Sequence, residues 1–430
     1  MKQTLEAWLG ALEQRGPAPI ALGLDRVSTV YRALCDQRAA DRAAPLVFVV
    51  AGTNGKGSTV AYLDSILRAS GMRCGRYTSP HLIRFAERIV VNGVQVDDAL
   101  IVDAFERIEQ ARGEIDLTYF EFATLAALEI FADAALDAWV LEVGLGGRLD
   151  AVNIIDANVA VITSVDLDHQ HFLGDTREAI GAEKAGIIRR ARPLVVGDRQ
   201  PPQSVIAHAE AEGAPCFRLG QDFDAKPTAE HPGQVRWHAP DHQNWLLSAP
   251  PLLGEHQIDN LATALAALWC VRGRWPWALD SLQTGIKQTR LSGRLQRIPA
   301  HCACYVDVAH NPDSARALAR WLQAERRPGR RIRAVFSLLS DKALDQVLRP
   351  LLPLIDGWSV AGLEGPRGRP AADLVSAISA GSKASVQSYA SVQSAFSATL
   401  AQSAADDLVI AFGSFAVAEA VLRLPPTASD

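Results

Sequence analysis

At 430 residues the chain is longer than the roughly 250–300 residues at which a single hydrophobic core stops growing, so we expect two domains. Its content of 48% hydrophobic and 21% charged residues is ordinary for a globular enzyme. The formal net charge of −5 argues against nucleic acid or an anionic membrane surface as a partner.

The N-terminus and the cysteines both indicate a cytoplasmic protein. Residues 1–16 have the pattern of an amphipathic helix and not of a secretory signal. No apolar run approaches the ~20 residues of a membrane span. Cys302 and Cys304 would share one face of a strand, but no second pair of cysteines completes a zinc site. We therefore expect free, buried thiols in a reducing compartment.

Strand and helix patterns alternate along the first half of the chain. The apolar run 46–52 predicts a buried parallel strand, and residues 58–70 follow with helical apolar spacing. Further strands are predicted at 73–78, 138–143, 158–165 and 193–197, and helices at 97–112, 121–136, 176–190 and 202–213. Such alternation is typical of a mostly parallel sheet with helices on both faces.

Residues 219–252 interrupt the alternation with short runs that predict a small antiparallel excursion. Helices are then expected at 256–272 and 276–287, followed by strands at 303–308, 332–337, 357–361 and 407–412 and helices at 312–325, 343–350, 370–380 and 390–404. We expect an α/β chain whose first domain, at 1–290, is built on a mostly parallel sheet. A linker at 291–295 would join it to a smaller Rossmann-like domain at 296–430.

The segment "GTNGKGST", residues 52–59, lies between the first strand and its helix. It departs from the common phosphate loop G-x-x-x-x-G-K-[ST], because Val50 stands where a glycine is expected and Gly57 separates Lys56 from Ser58. Glycines allow backbone N–H groups to converge on phosphate oxygens, and the helix N-terminus adds partial positive charge. We therefore predict nucleotide binding here, in a P-loop-type ATPase domain at 1–290, with a plain strand-to-helix turn as the alternative.

Several other predicted strands end in polar side chains. Glu142 is well placed for Mg²⁺, which takes one or two carboxylates plus phosphate oxygens. "TSPHL" carries Ser79 at another strand end, where a simple Ser-Pro turn is an equal alternative. The glycines of "LEVGLGGRLDAVN" are too closely spaced for a dinucleotide fingerprint, and Asp150 either pairs with Arg148 or contacts substrate.

Two further segments are ambiguous from their residues alone. In "DHQHFLG", His169 and His171 are either surface histidines or part of a metal site without an obvious third ligand. Lys184 follows Glu183 within a predicted helix, and this pattern alone favours an ordinary solvated face. In the second domain, Asp307 ends a strand before "AHNP", and Gly413-Ser414 forms a turn able to bind an anion.

Taken in order, "GTNGKGS", "TSPHL", "LEVGLGGRLDA", "DH…LG", "EKAGI" and "DVAHNP" resemble the folylpolyglutamate synthase/dihydrofolate synthase family, part of the Mur-type amide ligases. The resemblance spans residues 23 to 415. It implies that ATP phosphorylates a carboxylate and that the α-amino group of L-glutamate attacks the acyl phosphate. The substrates would be dihydropteroate and reduced folates, and we expect a monomer that closes around ATP.

The resemblance also implies roles for individual residues. The ATP phosphates and nucleotide would be bound by Asn54, Gly55, Lys56, Gly57, Ser58, Asn260, Arg294 and Asp307. Two Mg²⁺ ions would be held by Ser79, Glu142, His169 and a carbamylated Lys184, with a monovalent cation nearby. The pterin side would use Gly23, Leu24, Asp25, Arg26, Thr118, Tyr119, Phe120, Glu121, Leu149, Asp150 and Ala151, and the incoming glutamate would lie near His310 and Ser414.

Two residues depart from the family pattern: Val152 replaces the usual threonine, and His171 is an extra histidine. The segments "LTYFE" and "LGLDRV" resemble the bifunctional bacterial enzymes, with folylpolyglutamate synthase activity alone as the alternative. Three other functions fit less well. They are a cell-wall precursor ligase, which usually carries an additional N-terminal domain, a P-loop NTPase that moves or switches a partner, and a binding module with an inactive nucleotide site.

Overall fold

The computed structural model describes residues 3–15, 21–36 and 44–425, and within these ranges no helix is long and apolar enough to cross a bilayer. The chain divides into two compact units. The first comprises Met1–Pro251 and Ile258–Thr289, and the second comprises Leu252–Gln257 and Arg290–Asp430. The short segment Leu252–Gln257 therefore belongs with residues that are distant in sequence, which the hydrophobic pattern did not indicate.

The first unit alternates strands and helices as its sequence predicts. Its helices are α1 (Leu5–Gln14), α2 (Asp25–Asp36), α3 (Lys56–Ala69), α4 (Asp98–Arg112), α5 (Tyr119–Asp133), α6 (Gln170–Leu173), α7 (Arg177–Ala185), α8 (Gln203–Ala211), α9 (His256–Cys270) and α10 (Leu279–Gln288). The first two residues of α9, His256 and Gln257, are counted in the second unit. Its strands are β1 (Leu46–Ala51), β2 (Cys74–Tyr77), β3 (Ile89–Val91), β4 (Val94–Gln95), β5 (Ala138–Glu142), β6 (Val159–Ile162), β7 (Leu194–Val196), β8 (Cys216–Arg218), β9 (Asp224–Pro227), β10 (Gln234–His238) and β11 (Asn244–Ser248).

Eight strands form the main sheet of this unit in the order β4-β3-β2-β5-β1-β6-β7-β8. Strands β2, β5, β1, β6, β7 and β8 are parallel, and β3 and β4 are antiparallel at one edge. All six residues of β1 are buried, as expected for a central strand covered on both faces. The mostly parallel sheet is therefore confirmed. Strands β9 to β11 form a separate antiparallel sheet, which confirms the predicted excursion.

The second unit is a smaller α/β layer structure. Its strands are β12 (Gln296–Ile298), β13 (Ala303–Val306), β14 (Ile332–Phe336), β15 (Gly357–Ala361), β16 (Ser385–Tyr389) and β17 (Leu408–Phe412), and its helices are α11 (Pro312–Glu325), α12 (Leu344–Leu348), α13 (Ala371–Gly381), α14 (Val392–Ala401) and α15 (Phe415–Leu422). The sheet order is β12-β13-β17-β14-β15-β16, and only β12 is antiparallel to its neighbour.

Local sequence signals explain where two important helices begin. At the start of α5, the Thr118 hydroxyl accepts from the Glu121 N–H at 3.2 Å, and the Glu121 carboxylate accepts from the Thr118 N–H at 2.7 Å. At the start of α11, the Asn311 side chain accepts from the Ser314 N–H at 3.0 Å, and Pro312 occupies the first helical position. All six cysteines are free thiols, and three of them are buried.

Candidate active site

Four polar segments meet along one edge of the main sheet. Strands β2, β5, β1 and β6 are neighbours and parallel, so the residues that follow their C-terminal ends lie side by side. These residues are the segments 78–81, 142–150, 52–56 and 163–169. The fold therefore places the glycine loop between the predicted metal ligands on its two sides.

The glycine loop, residues 52–56, is held by the segment that follows β6. The Thr53 N–H donates to the Ser164 carbonyl at 2.6 Å, and the Thr163 hydroxyl donates to the Asn54 carbonyl at 2.6 Å. A methyl group on Gly52 would lie 1.8 Å from the Thr163 hydroxyl oxygen, so this position requires glycine. Hydrogen bonds to the loop backbone thus fix its conformation, and a side chain at position 52 would collide with Thr163.

The loop enters α3 through Gly55. This residue is the N-cap in the left-handed region, with φ 86°, and a methyl group on it would lie 2.4 Å from the Asn260 Oδ1 of α9. Gly57 and Ser58 are buried in the first turn of the helix. The N-terminus of α3, Asn260 and the loop backbone therefore converge on one point, which is the arrangement that binds phosphate in other α/β proteins.

Lys56 folds back over the loop. Its Nζ donates to the Gly52 carbonyl at 3.0 Å and to the Thr53 carbonyl at 3.3 Å. The ammonium group therefore lies directly above the backbone that would surround a phosphate. A lysine in this position supplies a positioned positive charge for phosphate oxygens.

Glu142 lies beside the start of the glycine loop. The N–H of Val143 donates to the Val50 carbonyl at 2.9 Å, and the Ser79 N–H lies 3.3 Å from a Glu142 carboxylate oxygen. Glu142 is buried. In the described part of the chain no three His, Cys, Asp or Glu side chains are clustered as metal ligands. Mg²⁺ requires fewer, because it takes one or two carboxylates together with phosphate oxygens, and the Glu142 carboxylate and Ser79 hydroxyl are of the required type.

Lys184 is only 3% exposed, so the solvated helix face favoured by its local pattern is wrong for this residue. Burial and, to a smaller extent, the nearby Lys56 ammonium lower the pKa of Lys184 from 10.5 to about 7, while Asp168 and Asp150 oppose the shift. Lys184 therefore shares one electrostatic environment with the lysine of the glycine loop. An amine with this pKa is substantially neutral at physiological pH, and only the neutral form is nucleophilic.

The glycine-rich segment 144–147 brings its backbone onto the end of α7 that carries Lys184. A methyl group on Gly147 would lie 2.9 Å from the Glu183 carbonyl oxygen and 3.0 Å from that of Lys184. The Arg148 N–H donates to the same Glu183 carbonyl at 2.8 Å. The Arg148 side chain also pairs with Glu183 at 2.8 Å, so of the two alternatives for Asp150 the pairing with Arg148 is wrong.

Asp150 is buried and bonded to its own loop. Its carboxylate accepts from the Leu145 N–H at 2.8 Å and from the Val152 N–H at 3.0 Å. Burial raises the pKa of Asp150 to about 6, although these backbone hydrogen bonds act in the opposite direction. The carboxylate therefore organises the turn between the glycine-rich segment and the short helical turn that begins at Ala151.

His169 adopts a left-handed backbone conformation, with φ 51° and ψ 39°. Its N–H donates to a carboxylate oxygen of Asp168 at 2.8 Å, and its Nε2 lies 4.0 Å from the other oxygen. Asp168 thus contacts both the backbone and the ring of this histidine. His171 is exposed, in keeping with a surface histidine at that position.

The residues predicted to bind the pterin are brought together from three parts of the first unit. The Gly23 N–H donates to the Leu149 carbonyl at 3.3 Å, and Arg26 pairs with buried Glu121 at 3.0 Å. Gly144 lies so close to the Phe120 ring that a methyl group on it would be 2.5 Å from the ring. Other members of this group lie in the same elements: Leu24 and Asp25 at the start of α2, Thr118 and Tyr119 at the start of α5, and Asp150 and Ala151 after β5.

In the second unit, four predicted residues surround the ends of β13 and β17. Asp307 accepts from the Leu295 N–H at 2.8 Å and from the Ala309 N–H at 2.7 Å. Phe415 lies between Arg294, whose guanidinium carbon is 5.6 Å from the ring centre, and His310, whose ring centre is 6.1 Å away.

Ser414 follows β17 in the same unit. It is buried and caps α15 by accepting from the Val417 N–H at 3.2 Å. Its neighbour Gly413 lies against β14, since a methyl group there would be 2.1 Å from the Ser337 carbonyl oxygen. The predicted anion-capable turn therefore has the required form.

Comparison with known proteins decides the family. Residues 50–268 match the Mur ligase middle domain, and residues 293–415 match the Mur ligase glutamate ligase domain. The chain is 42% identical over 412 residues to the dihydrofolate synthase/folylpolyglutamate synthase of Escherichia coli strain K12, covering 96% of this chain and 93% of that protein. This chain belongs to the dihydrofolate synthase/folylpolyglutamate synthase family.

Solved structures of two family members share the fold over nearly their full length. E. coli FolC in complex with DHPP and ADP has 40% sequence identity and a TM-score of 0.90, covering 98% of this chain and 97% of that one. The bifunctional enzyme solved with Mn, AMPPNP and L-glutamate bound has 39% identity and a TM-score of 0.87, covering 98% and 97%. Each of the residues singled out by the family resemblance has a described position in this chain.

Sequence reasoning missed several residues that shape the site of this family member. Thr163, Ser164 and Asp166 hold the glycine loop, but only the two histidines of their segment, His169 and His171, were singled out. Their position directly after a predicted strand was a usable signal, since ligands bind at strand ends. Asp168 was missed as well, although it precedes His169 directly.

Proposed function

We propose that this chain is an ATP-dependent ligase that joins L-glutamate to dihydropteroate, forming dihydrofolate, and to reduced folates, extending their glutamate tail. The observation that carries the proposal is the proximity of Lys56 to Lys184, on a glycine loop that lies beside the strand ending in Glu142, in a chain homologous to enzymes of that name along its length. Phosphoryl transfer depends mainly on positioning and charge neutralisation, which this arrangement provides.

ATP would bind at the glycine loop, as the relatives solved with ADP and AMPPNP suggest. The backbone from Asn54 to Ser58 would surround the phosphates, and Lys56 would neutralise the charge on the transferred group. A carboxylate oxygen of the pteroyl substrate attacks the γ-phosphate, and ADP leaves. The α-amino group of glutamate then attacks the acyl carbon and releases phosphate. Asn260, Arg294 and Asp307 are proposed nucleotide contacts.

Ser79, Glu142, His169 and Lys184 would hold the divalent metal, two Mg²⁺ ions in this proposal. The metal would neutralise charge on the phosphate oxygens. Lys184 would serve as a carbamate, which replaces its ammonium by an anionic oxygen ligand. The low pKa of the buried amine supports this role, because the neutral amine is the form that reacts with carbon dioxide. We also propose that a monovalent cation binds nearby and that the enzyme is a monomer.

The pteroyl substrate would bind among the residues that surround Phe120 and Leu149, and the glutamate near His310 and Ser414 of the second unit. Asp150 would contact the pterin. Its carboxylate is buried, and its pKa of about 6 would allow it to exchange a proton with a heterocycle near neutral pH.

The decisive test follows ADP release with ATP, Mg²⁺, L-glutamate and either dihydropteroate or a reduced folate. We expect ADP release with both acceptors, dependent on glutamate, and dihydrofolate as the product of the first reaction. ADP release without glutamate would favour an NTPase instead. Turnover with the reduced folate alone would reduce the function to folylpolyglutamate synthase.

A further inference from the structure

Arg88 is a buried cation next to the predicted metal ligands. It ends the short helical turn Phe85–Arg88 that precedes β3, and it is only 8% exposed. Its carbonyl accepts from the Thr78 N–H at 3.0 Å. Arg88 therefore lies beside the segment that carries Ser79, in the first unit of the protein.

The groups that contact the Arg88 side chain carry no negative charge. Its guanidinium carbon lies 5.5 Å from the ring centres of both Phe85 and Tyr119. Its Nε donates to the His81 Nδ1 at 2.9 Å. Aromatic faces and a histidine nitrogen orient a guanidinium group, but they do not neutralise it.

The carboxylate adjacent to Arg88 in sequence is bonded elsewhere. The adjacent Glu87 accepts from the backbone N–H groups of Leu82, Ile83 and Arg84, each at 2.8 Å. In the described part of the chain no carboxylate oxygen forms an ion pair with Arg88 within 4.0 Å. The buried guanidinium of Arg88 therefore has no counter-ion from the described part of the chain. A buried charge is costly unless it is paired, so an anionic ligand that paired with it would be bound favourably.

The position of Arg88 in the fold indicates which anion completes the pair. The Ser79–Arg88 segment follows β2, and β5 separates β2 from β1, which carries the glycine loop. Neighbouring strands are about 4.8 Å apart, so this segment lies roughly 10 Å to the side of the nucleotide phosphates. On that side Arg88 stacks against Tyr119, the residue before Phe120, within the group predicted to bind the pteroyl substrate.

We infer that Arg88 binds the carboxylate of the pteroyl substrate and holds it for phosphorylation. This inference rests on the proposed function and assigns one residue to one group of its substrate. Guanidinium groups bind carboxylates through two parallel hydrogen bonds, which fixes the orientation of the carboxylate as well as its position. Phe85, Tyr119 and His81 would keep the guanidinium plane in place when the site is empty.

The test compares dihydropteroate with its carboxamide analogue, in which a neutral amide replaces the carboxylate. Binding of each compound to the full-length protein is measured by titration calorimetry for the wild type, Arg88→Met and Arg88→Lys. The wild type is expected to bind the acid about 10- to 100-fold more tightly than the amide, as a charge-assisted hydrogen bond predicts. Arg88→Met should bind both compounds about equally, and Arg88→Lys should show an intermediate ratio.

Arg84→Met is the matched control, because Arg84 lies in the same segment but is exposed and pairs with exposed Asp98. It should retain the wild-type ratio. The inference is overturned if both Arg88 variants retain the wild-type preference for the acid, whatever their absolute affinities. The ratio of the two affinities separates carboxylate recognition from a general loss of fold, since misfolding would weaken the binding of both compounds alike. Absence of glutamate-dependent ADP release by the wild type would instead contradict the proposed function.

Discussion

The hydroxyl oxygen of Thr163 occupies the space that a side chain at Gly52 would need. A methyl group on Gly52 would lie 1.8 Å from this oxygen and 3.2 Å from the Thr163 backbone nitrogen. The same hydroxyl lies 3.2 Å from the Ala51 carbonyl and donates to the Asn54 carbonyl at 2.6 Å. A single threonine that follows β6 therefore contacts the glycine loop that follows β1 at two points, Gly52 and Asn54.

We predict that Gly52→Ala reduces the affinity for a non-hydrolysable ATP analogue by at least tenfold, because Thr163 must move and release the loop. Overpacking of this kind costs about 1–3 kcal/mol. Calorimetric titration gives the affinity, and thermal unfolding reports the stability. Gly10→Ala is the control, since no atom lies within 4 Å of a methyl group at that helical position. Wild-type affinity in Gly52→Ala would contradict the assigned role of the loop.

Lys56→Ala should abolish turnover while leaving the fold intact. The ammonium group is held over the loop by two carbonyl oxygens, so its removal takes away the charge positioned for the phosphates. Loss of one such group costs about 10²–10³ in rate. Glutamate-dependent ADP release is the measurement, and Lys226→Ala, which removes an exposed lysine paired with Asp224, is the control. Turnover within a few-fold of the wild type would exclude Lys56 from the reaction.

The alternation of strands and helices was readable from the sequence, but the order of the strands was not. Periodicity reports which residues are buried and does not report which strand lies next to which. The hairpin β3–β4 was missed, although Asn92 and Gly93 both have positive φ and form the Asn-Gly turn typical of hairpins. Strand β16 was missed because its residues are mostly exposed at the edge of the sheet.

The residues of the site divide in the same way. Some were recognisable from their neighbours in sequence, and others depend on residues far away in the chain. The glycine loop and its lysine were recognisable because their chemistry depends on neighbouring residues in sequence. The burial of Lys184 was not recognisable from its helix, because the charged groups near its amine, Lys56, Asp168 and Asp150, belong to other segments of the chain. Only the family resemblance pointed to this lysine. Arg88 escaped notice for a similar reason, since its isolation from acids depends on how Glu87 folds.

Glu121→Gln is expected to weaken binding of the pteroyl substrate selectively. The carboxylate of Glu121 pairs with Arg26 and closes the first turn of α5, next to Phe120. Removing its charge leaves Arg26 without its partner and loosens the link between α2 and α5. Because hydrogen bonds to charged groups contribute about 1.5–3 kcal/mol, KM for dihydropteroate should rise roughly 10-fold or more, with KM for ATP unchanged.

Steady-state kinetics with each substrate varied in turn separates these effects. Glu230→Gln serves as the control for Glu121→Gln, since Glu230 forms an exposed pair with Arg236. An equal rise in KM for ATP and for dihydropteroate would show that Glu121 supports the fold as a whole and not the acceptor side.

A further prediction concerns the titration of Lys184 in bicarbonate-free buffer, where no carbamate forms. Its pKa is about 7 in the folded protein against an ordinary value of 10.5. Between these values the unfolded chain binds the extra proton, so the free energy of unfolding should rise with pH across this window. Lys184→Met lacks the group and should show a shallower rise. Parallel profiles for the two proteins would contradict the low pKa.

The same lysine gives a chemical test of the carbamate. Lys184→Ala should lose most glutamate-dependent ADP release, because an anionic oxygen ligand for the metal is missing. Added acetate should restore part of the activity, since a small carboxylate fits the space vacated by a buried side chain. Methylammonium, which is similar in size but cationic, is the matched control and should not restore activity. Full activity of the variant without any addition, or equal rescue by both ions, would rule out a carbamate ligand at this position.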